Sequence, residues 1–508
     1  MRCWIGLHHP LLGLEIFRPR WCDSGMDVPG SDLPGSDVLI EHGRVSLMSE
    51  TAAYNGIRIG MREGGALMLC PEASLFFRDV QKEQSALDSI ALAMMQFTPE
   101  VAIAPESSLL MEVTASLSFF RGAHRLSSLV RENIHALGFS VQIGMAPTAQ
   151  AAWLLARYPL GRNQHIPRIR RVLTMASMTR QLDALPCTLL PAARPHREWL
   201  EGIACRTLGQ LRRLPHAGLQ RRSSKELIDS LERAYGMAPE LFGWIKVPPS
   251  FSMRLELPSR IDHAEALLFA SRRLILQMIG WLTAQQLAVS RFALSLEHER
   301  GRSALAPTAI EISLAEPAWY ESHLVRLLKE RLNRIELSAS VIAIRLEAKE
   351  TSPMLPPSGS LFPEAGSTIA DYHRLLDLLT ARLGRHSVLT PAAIEDYRPE
   401  VCNEWMPADA AEKNHSLSAG TSDMPQRMER PFWMLSIPVP LMMHDYRPFY
   451  GSPLKLIAGP ERIECGWWDG SLAVRDYFVA QGEEGARYWL FRERTGNDWR
   501  WFLHGLFA

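Results

Sequence analysis

Apolar positions along the first 160 residues switch between a helical and an extended period. Gln81 to Phe97 carries Leu87, Ile90, Ala91, Met94 and Met95, and His124 to Leu137 carries Leu126, Leu129, Val130, Ile134 and Leu137. Both sets follow the three-and-four spacing of one helix face. Between them Val101 to Thr114 reads as extended chain, with Leu109, Met111 and Val113 alternating with Leu110, Glu112 and Thr114. A second extended run, Phe139 to Gly144, leads into a helix from Thr148 to Arg157. The N-terminal residues read as a further strand and helix, Glu50 to Met61 as helix, and Leu67 to Phe77 as strand-like. Strands and helices in this order predict an α+β or α/β core with a central sheet. Chemistry in such cores gathers at strand ends and loops; here those positions hold Ser107 and Ser108.

The texture changes twice more. From Leu182 short helices are expected at Arg197 to Ala204, Thr207 to Leu214 and Ser223 to Tyr235, the last opening on serines able to cap it. After Pro248-Pro249 an alternating run at Phe251, Met253 and Leu255 precedes a long helix, His263 to Gln286. Strands at Val289 to Leu296 and Ile310 to Leu314, a helix from Ala318 to Arg334 and a strand at Val341 to Leu346 complete a βα-ββ-αβ unit. Ser352 to Thr368 is rich in Pro, Ser and Gly and reads as a linker, followed by an amphipathic helix from Asp371 to Leu383. Asp409 to Arg430 is polar, and Glu461 to Ala508 packs 11 aromatic residues into alternating runs that predict a small β-meander.

Composition alters this picture little. With 508 residues, 47% hydrophobic and 22% charged, the chain has material for three or four domains. It has no apolar run long enough to span a bilayer, and its first residues lack the features of a signal peptide. Seven scattered cysteines without a CxxC fit a reduced, cytoplasmic protein and give no zinc signature. Net charge is zero, yet 162–222 holds 12 arginines against Asp183, Glu198 and Glu201. That block suits phosphate contacts, and equally a solvated helical face. Adjacent His8 and His9 point to opposite faces of a strand and so do not form one metal site. No GxSxG elbow surrounds Ser107 and Ser108.

Several blocks resemble the Y family of UmuC-like translesion DNA polymerases across about 1–350. Gly56-Ile57-Arg58-Ile59-Gly60-Met61 is similar to its G-V-K-x-G-M, Cys70-Pro71-Glu72-Ala73 to its C-P-D-A, Gly138 to Ala146 to its G-x-x-x-x-x-G-I-S strand, and Trp199 to Leu214 to a helix of its thumb. Beyond 350 the chain resembles the ImuB-like branch, whose members are thought to have lost the catalytic centre. The matching blocks are Leu361-Phe362-Pro363-Glu364, Tyr397-Arg398-Pro399-Glu400, Gly459 to Glu464 with Gly466-Trp467-Trp468, Arg475-Asp476-Tyr477 and Trp501 to Phe507.

The resemblance implies an α+β multidomain, right-hand Y-family polymerase architecture with a small β-rich C-terminal domain. Palm and fingers would occupy 1–175 (fingers about 23–65), a helical thumb 176–247, a little finger 248–350, a linker with one helix 351–430 and an aromatic-rich interaction domain 431–508. Such polymerases hold two Mg²⁺ ions on carboxylates, because paired divalent cations with phosphate co-ligands demand hard oxygen donors. Anchored on Glu15 and Glu112, the family pattern puts its carboxylate positions on Gly6, His8, Ser107 and Ser108, and its ribose gate near Leu11. Its triphosphate-binding residues fall on Glu50, Ala53 and near Leu160, and Leu185 to Leu189 lacks the thumb's glycine hairpin.

These substitutions imply a non-catalytic scaffold with no metal or other cofactor, acting in SOS-type mutagenic translesion synthesis near the nucleoid. DNA contact would fall to Arg206, Arg212, Arg213, Arg221 and Arg222, with Arg254, Arg291 and Arg345 along the little finger. Leu361 and Phe362 resemble the end of a sliding-clamp peptide. An error-prone C-family polymerase and a RecA-like ImuA-type protein are the partners implied, and no membrane. Two alternatives stay open: an active polymerase with Glu15, Glu106 and Glu112 as displaced ligands, and a protein-only adaptor that does not bind DNA.

Overall fold

The computed structural model describes residues 2–19, 35–158, 170–299, 306–354, 369–408, 429–494 and 499–507. Two units, Met1–Arg382 and Leu383–Ala508, hold most of their contacts internally.

In the first unit, β1 (Trp4–His8) and α1 (Leu12–Glu15) lead to β2 (Asp37–Glu41), β3 (Arg44–Met48), α2 (Glu50–Tyr54), α3 (Glu63–Leu69) and β4 (Ser74–Phe77). The last five enclose a small core of Val38, Ile40, Val45, Ile57 and Ala66 under a sheet ordered β3-β2-β4. The run expected as strand from Leu67 therefore begins as helix and extends only from Ser74. Next come α4 (Val80–Met94), β5 (Val101–Ala104), β6 (Ser108–Glu112), α5 (Ala123–Ala136), β7 (Gln142–Ala146) and α6 (Ala149–Arg157). Thr148 caps α6 by accepting the Ala151 N–H at 3.3 Å, a contact of about 1 kcal/mol.

The central sheet runs β5-β6-β1-β7, antiparallel throughout. Its strands alternate, so each face feeds a different core. Ile5, Leu7, Leu109, Met111 and Met145 pack on α4 and α5, whereas Trp4, Leu110 and Ala146 pack on α6. Val101 to Thr114 is a hairpin rather than one strand. Glu106 (φ 58°) and Ser107 (φ 49°) turn the chain, and Ala104 pairs with Ser108. Left-handed backbone at two non-glycine residues is uncommon and needs surroundings that hold it in place.

Helices α7 (Met175–Ala184), α8 (Arg197–Gly202), α9 (Leu208–Arg213), α10 (His216–Arg222) and α11 (Lys225–Ala234) follow, with 3-10 turns at Cys187–Leu189 and Pro191–His196. Their Met178, Leu182, Leu200, Leu208, Leu219, Leu227 and Leu231 join the α6 core. The expected βα-ββ-αβ unit is present as β8 (Ser252–Ile261), α12 (Leu267–Ala284), β9 (Leu287–His298), β10 (Thr308–Ala318), α13 (Glu321–Leu332) and β11 (Val341–Pro353), its sheet ordered β10-β9-β11-β8. Helix α12 lies directly on α4. A Cβ at Gly280 would stand 2.8 Å from the Leu92 carbonyl carbon and 2.9 Å from Ala93 Cα, so only glycine permits this crossing. One core consequently runs from Ile90 and Met94 through Leu274 and Met278 to Phe292 and Leu328. Helix α14 (Ile369–Leu383) covers the β10 edge, where buried Asp377 accepts the Ala315 N–H at 2.7 Å and pairs with His323 at 3.1 Å.

The second unit begins with the hairpin β12 (Leu389–Ala393) and β13 (Asn403–Pro407), in a stretch expected to be linker. Arg398 fixes the loop between these strands. It pairs with Asp396 at 2.8 Å and Asp469 at 2.6 Å and donates to the Ser471 carbonyl. Then β14 (Trp433–His444), β15 (Arg447–Tyr450), β16 (Ser452–Pro453), β17 (Lys455–Cys465), β18 (Ala473–Gln481), β19 (Arg487–Glu493) and β20 (Arg500–Leu506) form one sheet ordered β16-β15-β14-β20-β19-β18-β17. The expected meander is its β17 to β20 portion. Tyr477 and Trp489 stack at 4.2 Å in its core, and the Tyr477 hydroxyl meets His504 Nδ1 at 2.9 Å. No helix among the described residues is long and apolar enough to cross a membrane.

Candidate nucleic-acid interface and metal-site positions

Gly6, His8, Ser107 and Ser108 do come together, at one end of the central sheet. His8 pairs with Ser108 across β1 and β6, and His9 N–H donates to the Ser107 carbonyl at 3.0 Å. His8 Nδ1 lies 3.0 Å from the Glu106 carbonyl oxygen and 3.1 Å from Ser108 Oγ, which itself donates to that carbonyl at 2.9 Å. Burial, then the nearby Arg157 charge, lowers the His8 pKa to about 4, so the imidazole is neutral at pH 7.

Gly6 pairs with Leu110 on one side and Gly144 on the other, and its missing side chain faces α6. A Cβ there would sit 2.6 Å from the Ala152 carbonyl carbon and oxygen and 2.8 Å from the Trp153 nitrogen. Gly144 is under the same constraint, with Ala156 N at 2.5 Å. The two glycines let α6 settle onto the strands, and no carboxylate side chain fits at position 6.

Glu106 stands in the hairpin turn, where its carboxylate is clasped by Arg157 from α6 and by Arg194 at 2.8 Å. Arg157 is almost wholly buried. It lies over the Trp153 ring at 4.3 Å and donates to the Leu189 carbonyl at 2.8 Å. The other carboxylates are remote from this point. Glu112 pairs with Trp4 at the opposite end of β1, about 13 Å along the strand, and bonds Thr114. Buried Glu15 accepts the Ser140 N–H at 2.9 Å. Glu15, Glu106 and Glu112 thus share no partner: Ser140 binds the first, Arg157 and Arg194 the second, and Thr114 the third. Among the described residues no group of three His, Cys, Asp or Glu side chains is placed to hold a metal. A neutral imidazole, hydroxyls and one arginine-paired carboxylate do not suit a Mg²⁺ pair. Of the other family positions, Glu50 and Ala53 lie in α2, and Leu160 is outside the described residues.

The arginines expected to meet DNA fall into two groups. The first five are all exposed: Arg206 just before α9, Arg212 and Arg213 at its C-terminal end, and Arg221 and Arg222 at the C-terminal end of α10. Arg212 stacks on Tyr235 at 4.6 Å and lies 3.8 Å from Asp183, whereas no ion pair is found for Arg206, Arg213, Arg221 or Arg222 among the described residues. Arg254, Arg291 and Arg345 stand on the outer face of the β10-β9-β11-β8 sheet and are charge-compensated. Arg254 pairs with Glu256 and Glu297, Arg345 with Glu297 at 3.6 Å, and Arg291 with Glu350. Arg260 with Glu299 and Lys349 with Glu347 complete that mosaic. The sequence reading took the three cations in isolation and missed the carboxylates that cross-strand register sets beside them. Cys187–Leu189, in place of a glycine hairpin, forms a 3-10 turn whose backbone serves the fold. The clamp-like Leu361 and Phe362 lie outside the described residues.

Comparison with known proteins gives this arrangement its context. Residues 31–157 match the impB/mucB/samB family, so the chain carries the UmuC-like domain of the Y family on a mixed α/β framework with a β-rich C-terminal sheet. The chain is similar to Protein ImuB from two strains of Caulobacter vibrioides (NA1000 / CB15N and CB 15), each 24% identical over 473 residues, 89% of this chain and all of the relative. Among solved structures, a Dbh ternary complex is 14% identical with a TM-score of 0.38 over 69% of this chain and all of that one. A Y-family DNA polymerase chimera of Dbh and Dpo4 is 15% identical with a TM-score of 0.37, covering 68% and 98%.

Proposed function

We propose that this protein is a non-catalytic, Y-family-like scaffold of mutagenic translesion DNA synthesis. The observation that carries the reading is the state of the metal-binding end of the sheet: Gly6 is closed off by α6 and Glu106 is held by Arg157 and Arg194. In this reading 1–175 acts as palm and fingers, 176–247 as thumb and 248–350 as little finger. Arg206, Arg213, Arg221 and Arg222, which have no ion pair among the described residues, supply the phosphate contacts, with Arg212 beside them. The segment holding Leu361 and Phe362 engages the sliding clamp. The C-terminal unit, which exposes Phe432, Trp433, Ile437 and Met442, meets the error-prone C-family polymerase and the ImuA-type protein. Purified protein is expected to extend no primer with Mg²⁺ or Mn²⁺ and dNTPs. Template-directed synthesis, lost in Glu106→Ala or Glu112→Ala, would overturn the reading.

A second reading, a protein-only adaptor, is favoured by the paired state of Arg254, Arg291 and Arg345 on the little-finger sheet. Titration of primer-template DNA across 50–200 mM salt separates the two. A scaffold on DNA shows affinity falling steeply with salt, and an adaptor shows none to lose.

A further inference from the structure

At the end of the central sheet away from the Glu106 turn lies a cleft of about 570 Å³. The chain leaving α11 crosses the sheet edge here, with Trp244 bridging Ala102 and Ile245 N–H donating to the Val101 carbonyl at 3.0 Å. Trp4 forms the floor. Phe242 packs on it at 4.5 Å, and Trp244 stacks parallel to it at 6.1 Å. Trp244 remains 41% exposed, and neighbouring Leu241 is 94% exposed. Aromatic and apolar surface left open beside a cleft in an ordered segment marks a contact site.

The polar lining fixes the sign of the guest. Among the described residues Glu100, Glu112 and Glu240 line the cleft against a single cation, Arg2. Glu240 is held by the Ala149 and Gln150 N–H groups at 2.9 and 2.7 Å, so it contributes mainly charge. Glu100 is exposed, and Glu112, although each of its oxygens accepts a hydrogen bond from Thr114, keeps further lone pairs. Carboxylates in this number repel a phosphodiester chain, while an indole face attracts a cation. A guanidinium meets both demands, because it is planar, stacks on indole and bonds carboxylates with a fork of N–H donors; an ammonium offers only a point charge.

We propose that this cleft is a docking site for an arginine side chain presented by a partner protein. The guanidinium stacks on Trp244 and donates to Glu100 and Glu112, and its methylenes lie along Leu241. The residues lining it are different from the arginines assigned to DNA, and the proposal is independent of the scaffold reading.

Saturation-transfer NMR on the full chain, with N-acetyl-arginine methylamide as probe and its citrulline counterpart as neutral isostere, tests the proposal. Transfer to the arginine side chain is expected, with citrulline about tenfold weaker or undetected. Trp244→Ala should abolish transfer, and Glu100→Gln should weaken binding several-fold while DNA binding stays unchanged. Glu100 is exposed, so Glu100→Gln decides the matter even if Trp244→Ala fails to fold. Equal binding of the citrulline compound, or arginine binding indifferent to Glu100→Gln, would overturn the proposal.

Discussion

The sharpest test of the non-catalytic reading is to place an acid at position 6. Gly6→Asp reinstates the residue type that the Y-family pattern places there, and the structure says that the protein will not accept it. The new Cβ would begin 2.6 Å from the Ala152 carbonyl, against an ordinary contact of at least 3.4 Å. Helix α6 would have to withdraw by nearly an ångström from a sheet it touches along Gly6 and Gly144. Its partner atoms are backbone, so no rotamer change relieves the clash. Overpacking of this kind costs about 1–3 kcal/mol. A carboxylate forced between helix and sheet adds several kcal/mol more unless it neutralises. The expected loss, of order 4 kcal/mol or above, is comparable to the whole stability of many domains. Urea unfolding followed by circular dichroism reads it directly, and Gly6→Ala isolates the steric part, at about 1–3 kcal/mol. If Gly6→Asp unfolds within 0.5 kcal/mol of the parent and binds Mn²⁺, the account of position 6 is wrong.

Three further outcomes are expected. Glu106→Gln strips the buried Arg157 of its charged partner and should lower stability by about 1–3 kcal/mol in thermal or urea unfolding; no change would show the clasp to be incidental. Burial, opposed by Glu400 and reinforced by Arg475 and Arg430, lowers the His504 pKa to about 4. A depressed histidine pKa means that the unfolded chain takes up the proton first. Stability of the C-terminal unit should therefore be steady above pH 6.5 and fall as pH drops towards 4, by up to about 3 kcal/mol, a slope that His504→Asn should flatten. Finally, Arg213→Ala and Arg221→Ala should each reduce the salt slope of DNA binding by about 1, whereas Arg254→Ala, already paired with Glu297, should leave it unchanged.

The parts of the fold legible in the sequence were those where one side chain pattern fixes one face. The apolar stripes of α4, α5 and α14 emerged within a few residues of their observed ends, because burial on one side imposes the period, and the βα-ββ-αβ order emerged with β8 and β11 running six and seven residues longer than expected. The hairpin of β5 and β6 did not. Its turn uses Glu106 and Ser107 at positive φ, where glycine or asparagine would have announced it, so Val101 to Thr114 looked continuous. The family pattern points to His8, Ser107 and Ser108, which share one end of the sheet, and leaves Glu106 only as a displaced ligand. That it is clasped by Arg157 and Arg194 depends on residues about 50 and 90 positions later and has no local signature. The hairpin of β12 and β13 was hidden for a related reason: its place is fixed by Arg398 reaching Asp469, a pairing of distant residues.

The contact of α12 with α4 through Gly280 changes what kind of object the first unit is. A lobe on a tether can be exchanged, rotated or cut away while its neighbour survives, but here the two lobes were never given separate interiors. A βα-ββ-αβ lobe grafted from a relative would arrive without the groove that receives its long helix, and nicking the chain near Pro248 would leave both pieces gripping each other. The constraint falls on position 280 itself, where any side chain would meet the Leu92 and Ala93 backbone whatever side chains those two residues carry.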